Sequence, residues 1–418
     1  MGLNRLTSPL LALALGAAPA FADVFVVDDD GGPGVDFTDI AAAIEAAADG
    51  DVLRVRAGQY GNFFVNGKGL TLVGEEGAIL GGDCIISDLS SDQLFSISAM
   101  EDLSIWFDDC EGTVVLDQVT MAATCCSASL IASGCADLRL QRSILQGAAQ
   151  GINEIVPGFE INDSLVQISG CTILGQVGID PNVSPTPGGA PALLLSSSRV
   201  HLAQTAMTGG TGGTSMDCII QPGAGGAGIQ VTGSDSSLIV AGPPRTAILG
   251  GHGGISPAHL CDGAAGNAVH GTDPGSSLRI SGVRLIGGMS TPGQTTPPLD
   301  FAGTIETPDE RDPTLRLFRT PFLGQQVPVR INGEPFSDVY IMVGAESARI
   351  DDPNSAADQL TTEERVIALG TLGRRGKLVK TFVMPTNMPV GETIWVQAAT
   401  VSPSGDFERS NSVTLILR

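Results

Sequence analysis

Two neighbouring stretches of this chain repeat each other: MTGGTGGTSMDC at Met207–Cys218 and LGGHGGISPAHLC at Leu249–Cys261. Each is followed by a second glycine-rich stretch, a turn and a short strand of alternating apolar residues that ends at Val240 or Ile280. A period of about 40 residues is typical of stacked architectures, because a single unit cannot bury its apolar face alone. The repeat therefore predicts a stack of coils, and it indicates no reaction.

A looser form of the same motif recurs over most of the chain. It consists of an apolar-x-apolar strand, a few small or polar residues, two apolar residues and often glycine, as in LTLVGEEGAILGG at Leu70–Gly82. The alternation predicts strands with one face turned inward, and the uneven spacing between copies indicates loop insertions. We expect the outward positions of the first strands to form one exposed column: Thr71, Arg139, Gln167, His201, Ile239 and Arg279.

A short helix is expected before the first coil. Phe37, Ile40, Ile44 and Ala47 recur at helical spacing, and Asp36 is the predicted N-cap. A helix at this place would cover the open end of the core and block strand pairing at its edge.

The opening of the mature chain resembles a known family. FTDIAAAIEAAADGDVLRVRAGQY (Phe37–Tyr60) followed by VNGKGLTLVGEEG (Val65–Gly77) is similar to the start of right-handed parallel β-helix proteins of the pectin-lyase-like superfamily. The resemblance covers residues 24–289, and the glycine-rich loops with one cysteine resemble a subtype of secreted bacterial proteins. It implies an all-β fold: a right-handed parallel β-helix with an N-terminal helical cap, followed here by a small C-terminal β-sandwich.

Composition divides the chain into four parts. Residues 1–22 are predicted to be a secretory signal peptide with Ala20-Phe21-Ala22 at its cleavage site. The β-helix is expected at residues 23–290, a linker rich in Pro, Thr and acidic residues at 291–313, and a β-sandwich at 314–418. We therefore expect a secreted protein, extracellular or at the cell surface, without membrane insertion.

The C-terminal part changes character. Seven short candidate strands over about 105 residues fit a β-sandwich of immunoglobulin-like or fibronectin-like type. The segment PVGETIWVQAATVSPSGDFERSNSVTLIL (Pro389–Leu417) resembles a C-terminal sandwich module of secreted proteins in some bacteria. That resemblance implies no activity.

The eight cysteines predict disulfides, because the chain is expected to be exported. Cys218 and Cys261 occupy equivalent places in consecutive copies of the repeat, and stacked strands lie about 4.8 Å apart, within disulfide reach. Cys84 and Cys110 are expected to pair in the same way in earlier coils. The vicinal pair Cys125-Cys126 has no assignable partners.

The chain is strongly acidic, with a formal net charge of −23. A field of that sign opposes nucleic acid and anionic membranes, and it disfavours anionic polysaccharides unless a local basic groove exists. The family resemblance implies a polysaccharide or another cell-surface component as the partner. Calcium is the one cofactor that the sequence suggests, since Asp28, Asp29 and Asp30 with Asp36 could supply several carboxylate oxygens. The alternative interpretation is a charged turn before the cap helix.

No constellation of residues defines a catalytic reaction. Asp108-Asp109 and Gly251-His252-Gly253 resemble motifs of polygalacturonase-type glycosidases, but they lie far apart in this chain, and the Asn-Thr-Asp and Arg-x-Lys motifs of that family are missing. A glycosidase would need two carboxylates facing each other across a groove. Asp108 and Asp109 are therefore the catalytic candidates, and a lyase base would come from Arg139, Arg142 or Arg279.

The distribution of aromatic residues favours the early coils as the place for a carbohydrate site. Between Glu160 and Asp300 the only aromatic side chains are histidines, and aromatic faces dominate many binding sites. Trp106, beside Asp108-Asp109, is the best candidate for ligand contact. The alternative is that Trp106 and Phe107 both fill the core under a loop.

These observations favour a non-catalytic, secreted or cell-surface β-helix scaffold that is associated with glycans. One alternative is a polysaccharide lyase or glycoside hydrolase with its site over the early coils. Another is an adhesin that contacts a partner through the glycine-rich loops or the sandwich. Several carboxylates, or an arginine with carboxylates, converging in an open groove would favour the enzyme.

Overall fold

The structure is a computed structural model. It describes residues 22–102, 104–123, 127–147, 156–178, 186–215, 220–243, 246–256, 259, 261–291, 294–309, 311–318, 322–344, 347–348, 359–360, 365–384, 386 and 388–417. The predicted signal peptide, apart from Ala22, lies outside the described residues, as do Cys125, Cys126 and Cys218.

In the described residues of the first three quarters of the chain, the regular secondary structure consists of short strands and one helix, α1 (Ile40–Ala46). In chain order the strands are β1 (Val24–Val27), β2 (Val52–Val55), β3 (Gly58–Tyr60), β4 (Phe64–Asn66), β5 (Thr71–Gly74), β6 (Ala78–Leu80), β7 (Asp83–Ser87), β8 (Leu94–Ser98), β9 (Ser104–Asp108), β10 (Thr113–Asp117), β11 (Thr120–Ala122), β12 (Leu130–Ser133), β13 (Asp137–Gln141), β14 (Ile144–Gln146), β15 (Phe159–Asn162), β16 (Leu165–Ser169), β17 (Thr172–Leu174), β18 (Leu193–Ser196), β19 (Arg199–Ala203), β20 (Ala206–Thr208), β21 (Ile229–Thr232), β22 (Ser237–Ala241), β23 (Ala247–Leu249), β24 (Val269–Gly271), β25 (Ser277–Ser281), β26 (Arg284–Ile286), β27 (Met289–Thr291), β28 (Gln294–Thr295), β29 (Leu299–Phe301) and β30 (Thr304–Glu306).

Among the described residues, these strands form three long parallel sheets. Sheet 1 has the order β1-β2-β5-β8-β10-β13-β16-β19-β22-β25-β30. Sheet 2 has the order β29-β24-β21-β18-β15-β12-β9-β7-β4, and sheet 3 has the order β11-β14-β17-β20-β23-β26. A typical coil passes from sheet 2 to sheet 1 to sheet 3 and then returns to sheet 2 one level higher. The predicted fold, a right-handed parallel β-helix with a helical cap, is confirmed.

Apolar side chains of successive coils stack in register inside the helix. One continuous row on the inner face of sheet 1 consists of Leu53, Leu72, Ile97, Leu116, Leu140, Ile168, Leu202 and Val240. Each of these side chains is at most 1% exposed. Burial of such a side chain stabilises the fold by about 1.5–3 kcal/mol, so the repeated strand motif fixes the register coil by coil.

The corner between sheets 2 and 1 has a recurring design. The residue after most sheet 2 strands adopts a positive φ, among them Asp88, Asp109, Gly134, Asp163, Ser197 and Gly233. In four consecutive coils the next residue is buried: Cys110, Cys135, Ser164 and Ser198. Asp, Asn and Gly are the residues that tolerate this left-handed conformation best, which explains the composition of the corner.

Hydrogen bonds to the buried corner residues seal the turn. The Cys135 backbone N–H donates to Ser164 Oγ at 2.9 Å, and the Ser164 N–H donates to Ser198 Oγ at 3.0 Å. In the corner after sheet 1, the Ser143 N–H donates to Cys171 Sγ and the Cys171 N–H donates to Thr205 Oγ1, both at 3.4 Å. A thiol or hydroxyl here satisfies a backbone donor that is buried away from water.

The predicted cap helix is present, but it begins later than expected. Asp39 is its N-cap and accepts hydrogen bonds from the backbone N–H groups of Ala41 and Ala42. The N-cap prediction for Asp36 is wrong, because that carboxylate accepts instead from the Val26 N–H at 2.8 Å and holds the loop against β1.

The glycine-rich loops form a hydrogen-bonded sheaf rather than irregular insertions. We call it the glycine sheaf; it comprises residues 175–178, 186–190, 209–215, 223–228, 250–256, 263–268 and 287–289. Outgoing segments pair with the next coil, as in Gly209 N–H to Leu249 O and Gly212 N–H to His252 O, both at 2.9 Å. The intervening N–H of Gly210 donates to a return segment, at Ala190 O (2.8 Å). The period of three residues is that of a polyproline II helix.

The segment predicted as a linker, residues 291–313, differs from that expectation. It contains β29, which pairs with β24, and β30, which pairs with β25, so the last coil of the β-helix extends to Glu306. The apolar residues Leu299 and Ile305 continue the strand pattern, and the Pro and Thr residues that suggested a linker lie mostly around these short strands.

The C-terminal part is a sandwich of two antiparallel sheets. One has the order β31-β32-β37 and the other β36-β33-β38-β39, and both contribute to one core that includes Leu315, Ile331, Ile341 and Leu415. The strands are β31 (Thr314–Leu317), β32 (Gln326–Asn332), β33 (Asp338–Gly344), β34 (Ser347–Ala348), β35 (Gln359–Leu360), β36 (Arg365–Thr371), β37 (Lys377–Val383), β38 (Thr393–Val401) and β39 (Phe407–Ile416).

The sandwich packs along the outer face of sheet 1. Arg139 Nη1 donates to Ser412 Oγ at 2.6 Å, and the Arg139 guanidinium lies 4.1 Å from the centroid of the Trp395 ring. Gln141 Nε2 donates to Thr414 O at 2.9 Å. An apolar cluster from both parts completes the contact and consists of Val52, Val73, Val115, Trp395 and Ile416. The sandwich therefore covers one of the broad faces of the β-helix.

Candidate functional site

The outer face of sheet 2 carries a row of apolar side chains over the early coils, two of them exposed and two half-buried. Strand register places Phe64, Ile85, Trp106 and Ile131 next to one another in consecutive coils. Phe64 is 56% exposed and Trp106 is 38% exposed. Neighbouring strands lie about 4.8 Å apart, so this row is about 14 Å long. We call it the aromatic row; exposed apolar patches of this kind mark binding surfaces.

A row of polar side chains runs parallel to the aromatic row, two residues further along each strand. In register it consists of Asn66, Ser87, Asp108, Ser133, Asn162 and Ser196. Two residues along a strand span about 6.6 Å, so hydroxyl, amide and carboxylate groups flank the apolar strip at a regular distance. We call this second row the polar row.

Carboxylates and amides give the face its hydrogen-bonding capacity. Asn162 Nδ2 donates to Glu160 Oε1 at 3.1 Å, and Asn66 Nδ2 donates to Asp88 Oδ2 at 2.7 Å. The Asp108 side chain is exposed beside Trp106. Asp108 is the only charged side chain in the two rows, so the rows themselves offer no cation to an anionic ligand.

Trp106 was open to two interpretations, ligand contact or core filling together with Phe107, and the structure places the two side chains on opposite faces of β9. Phe107 is 1% exposed and packs in the core, where its ring meets Phe95 edge-on with centroids 6.4 Å apart. Trp106 alternates with it and points outward. The core-filling interpretation is therefore right for Phe107 and wrong for Trp106.

Asp108 and Asp109 do not form a pair of facing carboxylates. Asp108 ends β9 and belongs to the polar row, whereas Asp109 is the corner residue with φ of 49°. Corner residues of the neighbouring coils are Asp88, Gly134 and Asp163. The sequence motif Asp108-Asp109-Cys110 is thus a structural corner in which only Asp108 faces the candidate site.

The column predicted on the outside of sheet 1 has the expected register but not the expected exposure. Arg139, Gln167, His201, Ile239 and Arg279 are neighbours in consecutive strands. Arg139 is only 3% exposed, Gln167 6% and His201 9%, since the sandwich covers them. Arg139 and Arg142, proposed above as lyase bases, are also bound in ion pairs with Asp137 and Asp117.

Arg279 is likewise engaged. Its guanidinium pairs with Asp312 at 2.8 Å and with Glu306 at 2.6 Å, and the hydrogen bond to Asp312 raises its pKa. The three arginines suggested as lyase bases therefore have structural roles. Arg139 and Arg142 pair with carboxylates of the coils, and Arg279 pairs with Glu306 in the last coil and with Asp312 just after it. None of them faces the aromatic row.

The acidic cluster near the N-terminus is brought together only in part. Carboxylate oxygens of Asp28, Asp29 and Asp30 lie within 4.8 Å of one another, and Asp36 is not in that group. Asp28 pairs with Arg56 at 2.8 Å, a hydrogen bond that lowers the pKa of its carboxyl, and Asp29 Oδ2 accepts from the Gln59 N–H at 2.9 Å. The carboxylates thus already have partners that fix the turn, and the calcium site remains a prediction.

The disulfide predictions have different outcomes. Cys84 and Cys110 are free and buried, and the predicted bond between them is wrong, because Cys84 lies opposite Ile105 while Cys110 belongs to the following corner. Cys261 is disulfide-bonded. Its predicted partner, Cys218, lies outside the described residues, so that pairing stays a prediction.

A cavity lies where the sandwich meets the early coils. The cavity has a volume of about 750 Å³ and combines an arginine with three glutamates: Arg54, Glu75, Glu76 and Glu101. Gln118, Thr120, Phe322 and Val390 complete part of its lining. Arg54 Nη2 pairs with Glu75 Oε1 at 2.8 Å. Sequence reasoning missed this groove, because it depends on how the two parts of the chain pack together.

Comparisons with known proteins give little further information. No protein-family model and no curated protein matches the chain. Among solved structures, the full-length tailspike protein 2 (TSP2, ORF211) of Escherichia coli O157:H7 bacteriophage CAB120 is similar over 94% of this chain, with 11% sequence identity and a TM-score of 0.29. The chain spans 63% of the length of that tailspike. Similarity at this level carries no conclusion about function. In the described part of the chain, no helix is long and apolar enough to cross a membrane.

Proposed function

We propose that this protein is a non-catalytic β-helix scaffold at the cell surface or in the extracellular medium, and that it binds a neutral glycan on the outer face of sheet 2. The observation that carries the proposal is the aromatic row, with Trp106 at its centre and the polar row alongside. Sugar rings present an apolar C–H face and a rim of hydroxyls. An aromatic strip flanked by hydrogen-bonding side chains complements both features.

The geometry supports an extended ligand rather than a small molecule. The aromatic row follows the helix axis over four coils, and the polar row follows the same direction on its flank. The surface is open and regular, which suits a chain of repeating units that contacts equivalent positions in successive coils.

Electrostatics supports a neutral glycan over a uronate-rich one. Asp108 lies in the polar row, Glu160 is the register partner of Ile131 in the next coil, and the whole chain carries a net charge of −23. A polyanion would meet repulsion from this field. Two sheet 1 arginines that could have offset the repulsion, Arg139 and Arg279, are held in ion pairs.

Replacing Trp106 by alanine is expected to weaken glycan binding by about 2 kcal/mol, or about thirtyfold, because truncation of a central aromatic anchor has effects of this size. The measurement is retention of the chain on a panel of neutral and uronate-rich polysaccharides by affinity electrophoresis. Ile144→Ala is the matched control, since Ile144 is 48% exposed but lies on sheet 3. Equal retention of the parent and Trp106→Ala on the bound glycan would place the site elsewhere, and retention on no glycan would overturn the proposal.

The groove at the sandwich supports a second candidate, a glycoside hydrolase. The observation behind it is that Arg54, Glu75, Glu76 and Glu101 line one open cavity. Such enzymes use a pair of carboxylates. This groove, and not the Asp108-Asp109 corner, would hold the catalytic groups.

Turnover of the same polysaccharide panel, followed by the release of reducing ends, distinguishes the two candidates. A hydrolase in the groove would lose at least about a hundredfold in rate in Glu101→Gln, in line with removal of a general acid or base. The same enzyme would keep its rate in Asp108→Asn. An absence of turnover on every substrate that the chain retains would leave binding alone and exclude the hydrolase.

A further inference from the structure

The thiols of Cys110 and Cys135 occupy equivalent positions in consecutive coils. Asp108 lies opposite Ser133 in the register of β9 and β12, so two residues further on Cys110 lies beside Cys135. The two residues are 0% and 2% exposed, and both are free thiols in this structure. Neighbouring parallel strands are about 4.8 Å apart, within the Cα separation of about 4.4–6.8 Å that a disulfide spans.

Cys110 and Cys135 belong to the series of buried corner residues that follow the sheet 2 strands, one per coil; we call this series the corner ladder. The next two coils carry Ser164 and Ser198 at the same place, and these hydroxyls seal the corner by accepting backbone hydrogen bonds. Cys171 lies in the equivalent ladder of the corner after sheet 1, between Ser143 and Thr205, so it has no thiol in either neighbouring coil. Among the described residues, two ladder thiols follow each other only at Cys110 and Cys135.

We propose that Cys110 and Cys135 form a disulfide that joins the two strands carrying Trp106 and Ile131. The proposal depends on the export predicted from residues 1–22, and it is independent of whether a glycan binds. In the reaction both S–H bonds break and one S–S bond forms. Two protons pass to water, and two electrons reduce the disulfide of an exchange partner, a thiol oxidoreductase or oxidised low-molecular-weight thiol of the extracytoplasmic compartment.

The bond has to form while the coils are still open. The thiolate is the attacking species in disulfide exchange. In the folded chain Cys110 and Cys135 are 0% and 2% exposed, so an exchange partner cannot reach their thiols. Exchange after folding is therefore suppressed, and the disulfide is a product of folding rather than a reversible switch.

Such a bond would pre-organise the aromatic row. Trp106 and Ile131 are register partners on the outer face. Cys110 follows Trp106 by four residues, and Cys135 follows Ile131 by four residues. A covalent link at the corner would limit relative sliding of β9 and β12, and hence fix the spacing of the side chains that contact a ligand.

The test is to refold the full chain in a glutathione redox buffer, block free thiols with an alkylating agent in denaturant, digest without reductant and analyse the peptides by mass spectrometry. The expected result is a linked pair of peptides that contain Cys110 and Cys135, with Cys84 and Cys171 alkylated. Alkylation of both Cys110 and Cys135 in protein whose Cys261 is oxidised would overturn the proposal, and so would either residue linked to another cysteine.

A matched pair of variants separates the bond from simple packing. Cys135→Ser keeps an acceptor in the ladder, as Ser164 does in the next coil, and is expected to lower the Tm of the oxidised protein on the order of 5 °C while leaving the reduced protein nearly unchanged. Ser143→Cys places a thiol one coil from Cys171 and is expected to create a second disulfide by the same geometry. Two results would contradict the proposal. One is a bond between Cys171 and the thiol introduced by Ser143→Cys in protein that lacks a bond between Cys110 and Cys135. The other is an equal loss of Tm for Cys135→Ser in both redox states.

Discussion

Alanine at Gly210 is expected to destabilise the chain by about 3 kcal/mol or more, because a Cβ atom there has nowhere to go. It would lie 1.5 Å from the carbonyl oxygen of Gln176, and backbone atoms cannot yield as a flexible side chain would. Separation of the two segments would also break the hydrogen bonds from Gly210 N–H to Ala190 O and from Gly226 N–H to Gly210 O, each 2.8 Å long.

The effect should spread through the glycine sheaf. The Gly210 carbonyl belongs to a chain of hydrogen bonds in which each link joins an outgoing segment to a return segment, from Ala190 through Gly226 and Gly251 to Gly288. Collagen shows the same logic, since only glycine fits where three extended chains crowd one axis. Loss of one link therefore exposes buried backbone donors in the neighbouring coils as well.

Denaturant unfolding and limited proteolysis measure this prediction. Gly61→Ala is the control, because a Cβ at Gly61 meets nothing within 4 Å and the residue has no positive φ. We expect Gly61→Ala to unfold like the parent and Gly210→Ala to be cleaved within residues 207–228 well before global unfolding. Similar stability of the two variants would show that the sheaf is loosely packed.

Much of the β-helix could be predicted from sequence, for a physical reason. Each coil buries its own apolar row against the next one, so the pattern of inward residues is local and repeats along the chain, as in VQISGCTILG at Val166–Gly175. The outward column through Arg139 and Gln167 was predicted in the correct register on the same grounds. Local patterns do not report what covers that column.

The corner cysteines illustrate a signal that was present and misinterpreted. Export favours disulfides as the interpretation of any cysteine. The four segments Asp108-Asp109-Cys110, Ser133-Gly134-Cys135, Asn162-Asp163-Ser164 and Ser196-Ser197-Ser198 nevertheless share one plan, in which the third residue seals a corner. Aligning these segments would have placed Cys110 next to Cys135 instead of Cys84, and it would have explained Asp109 without catalysis.

The glycine-rich loops contain a similar signal. Gly209-Gly210-Thr211-Gly212-Gly213 and Gly250-Gly251-His252-Gly253-Gly254 have a period of three, with the larger residue at the third position. A period of three predicts extended polyproline II segments packed side by side. The same period assigns His252 to the outer position of a triplet, and its Nδ1 accepts from the Met289 N–H at 2.9 Å.

Packing of the sandwich on sheet 1 could not have been predicted from local patterns. It joins residues that are very distant in sequence, such as Gln204 with Thr314 and Gln167 with Ser412. Gln167 and Ser412 lie on strands and Gln204 lies in the corner after β19. In a single sequence, polar side chains at such positions are indistinguishable from solvated ones. The position of the candidate site on sheet 2 follows from this contact, because the sandwich leaves that face open.

Replacing Arg139 by alanine is expected to destabilise the chain by about 3 kcal/mol and to release the sandwich from sheet 1. The side chain of Arg139 is 4% exposed and that of Asp137 is 16% exposed, and removal of one partner of a buried ion pair leaves the other charge without compensation. The variant also loses the hydrogen bond to Ser412 and the stacking on Trp395, which join the two parts of the chain.

Arg54→Ala is the matched control for this prediction. Arg54 also forms an arginine–carboxylate pair, with Glu75 at 2.8 Å, but the two side chains are 55% and 39% exposed, so its loss should cost at most about 1 kcal/mol. Two measurements follow: the free energy of unfolding, and cleavage between Glu306 and Thr314, which should accelerate only when the sandwich separates. Equal destabilisation by the two substitutions, or unchanged cleavage in Arg139→Ala, would contradict the docking role of Arg139. Separation would also expose Gln167 and His201. Glycan retention that persists in this variant would favour binding on sheet 2 over binding where the sandwich meets sheet 1.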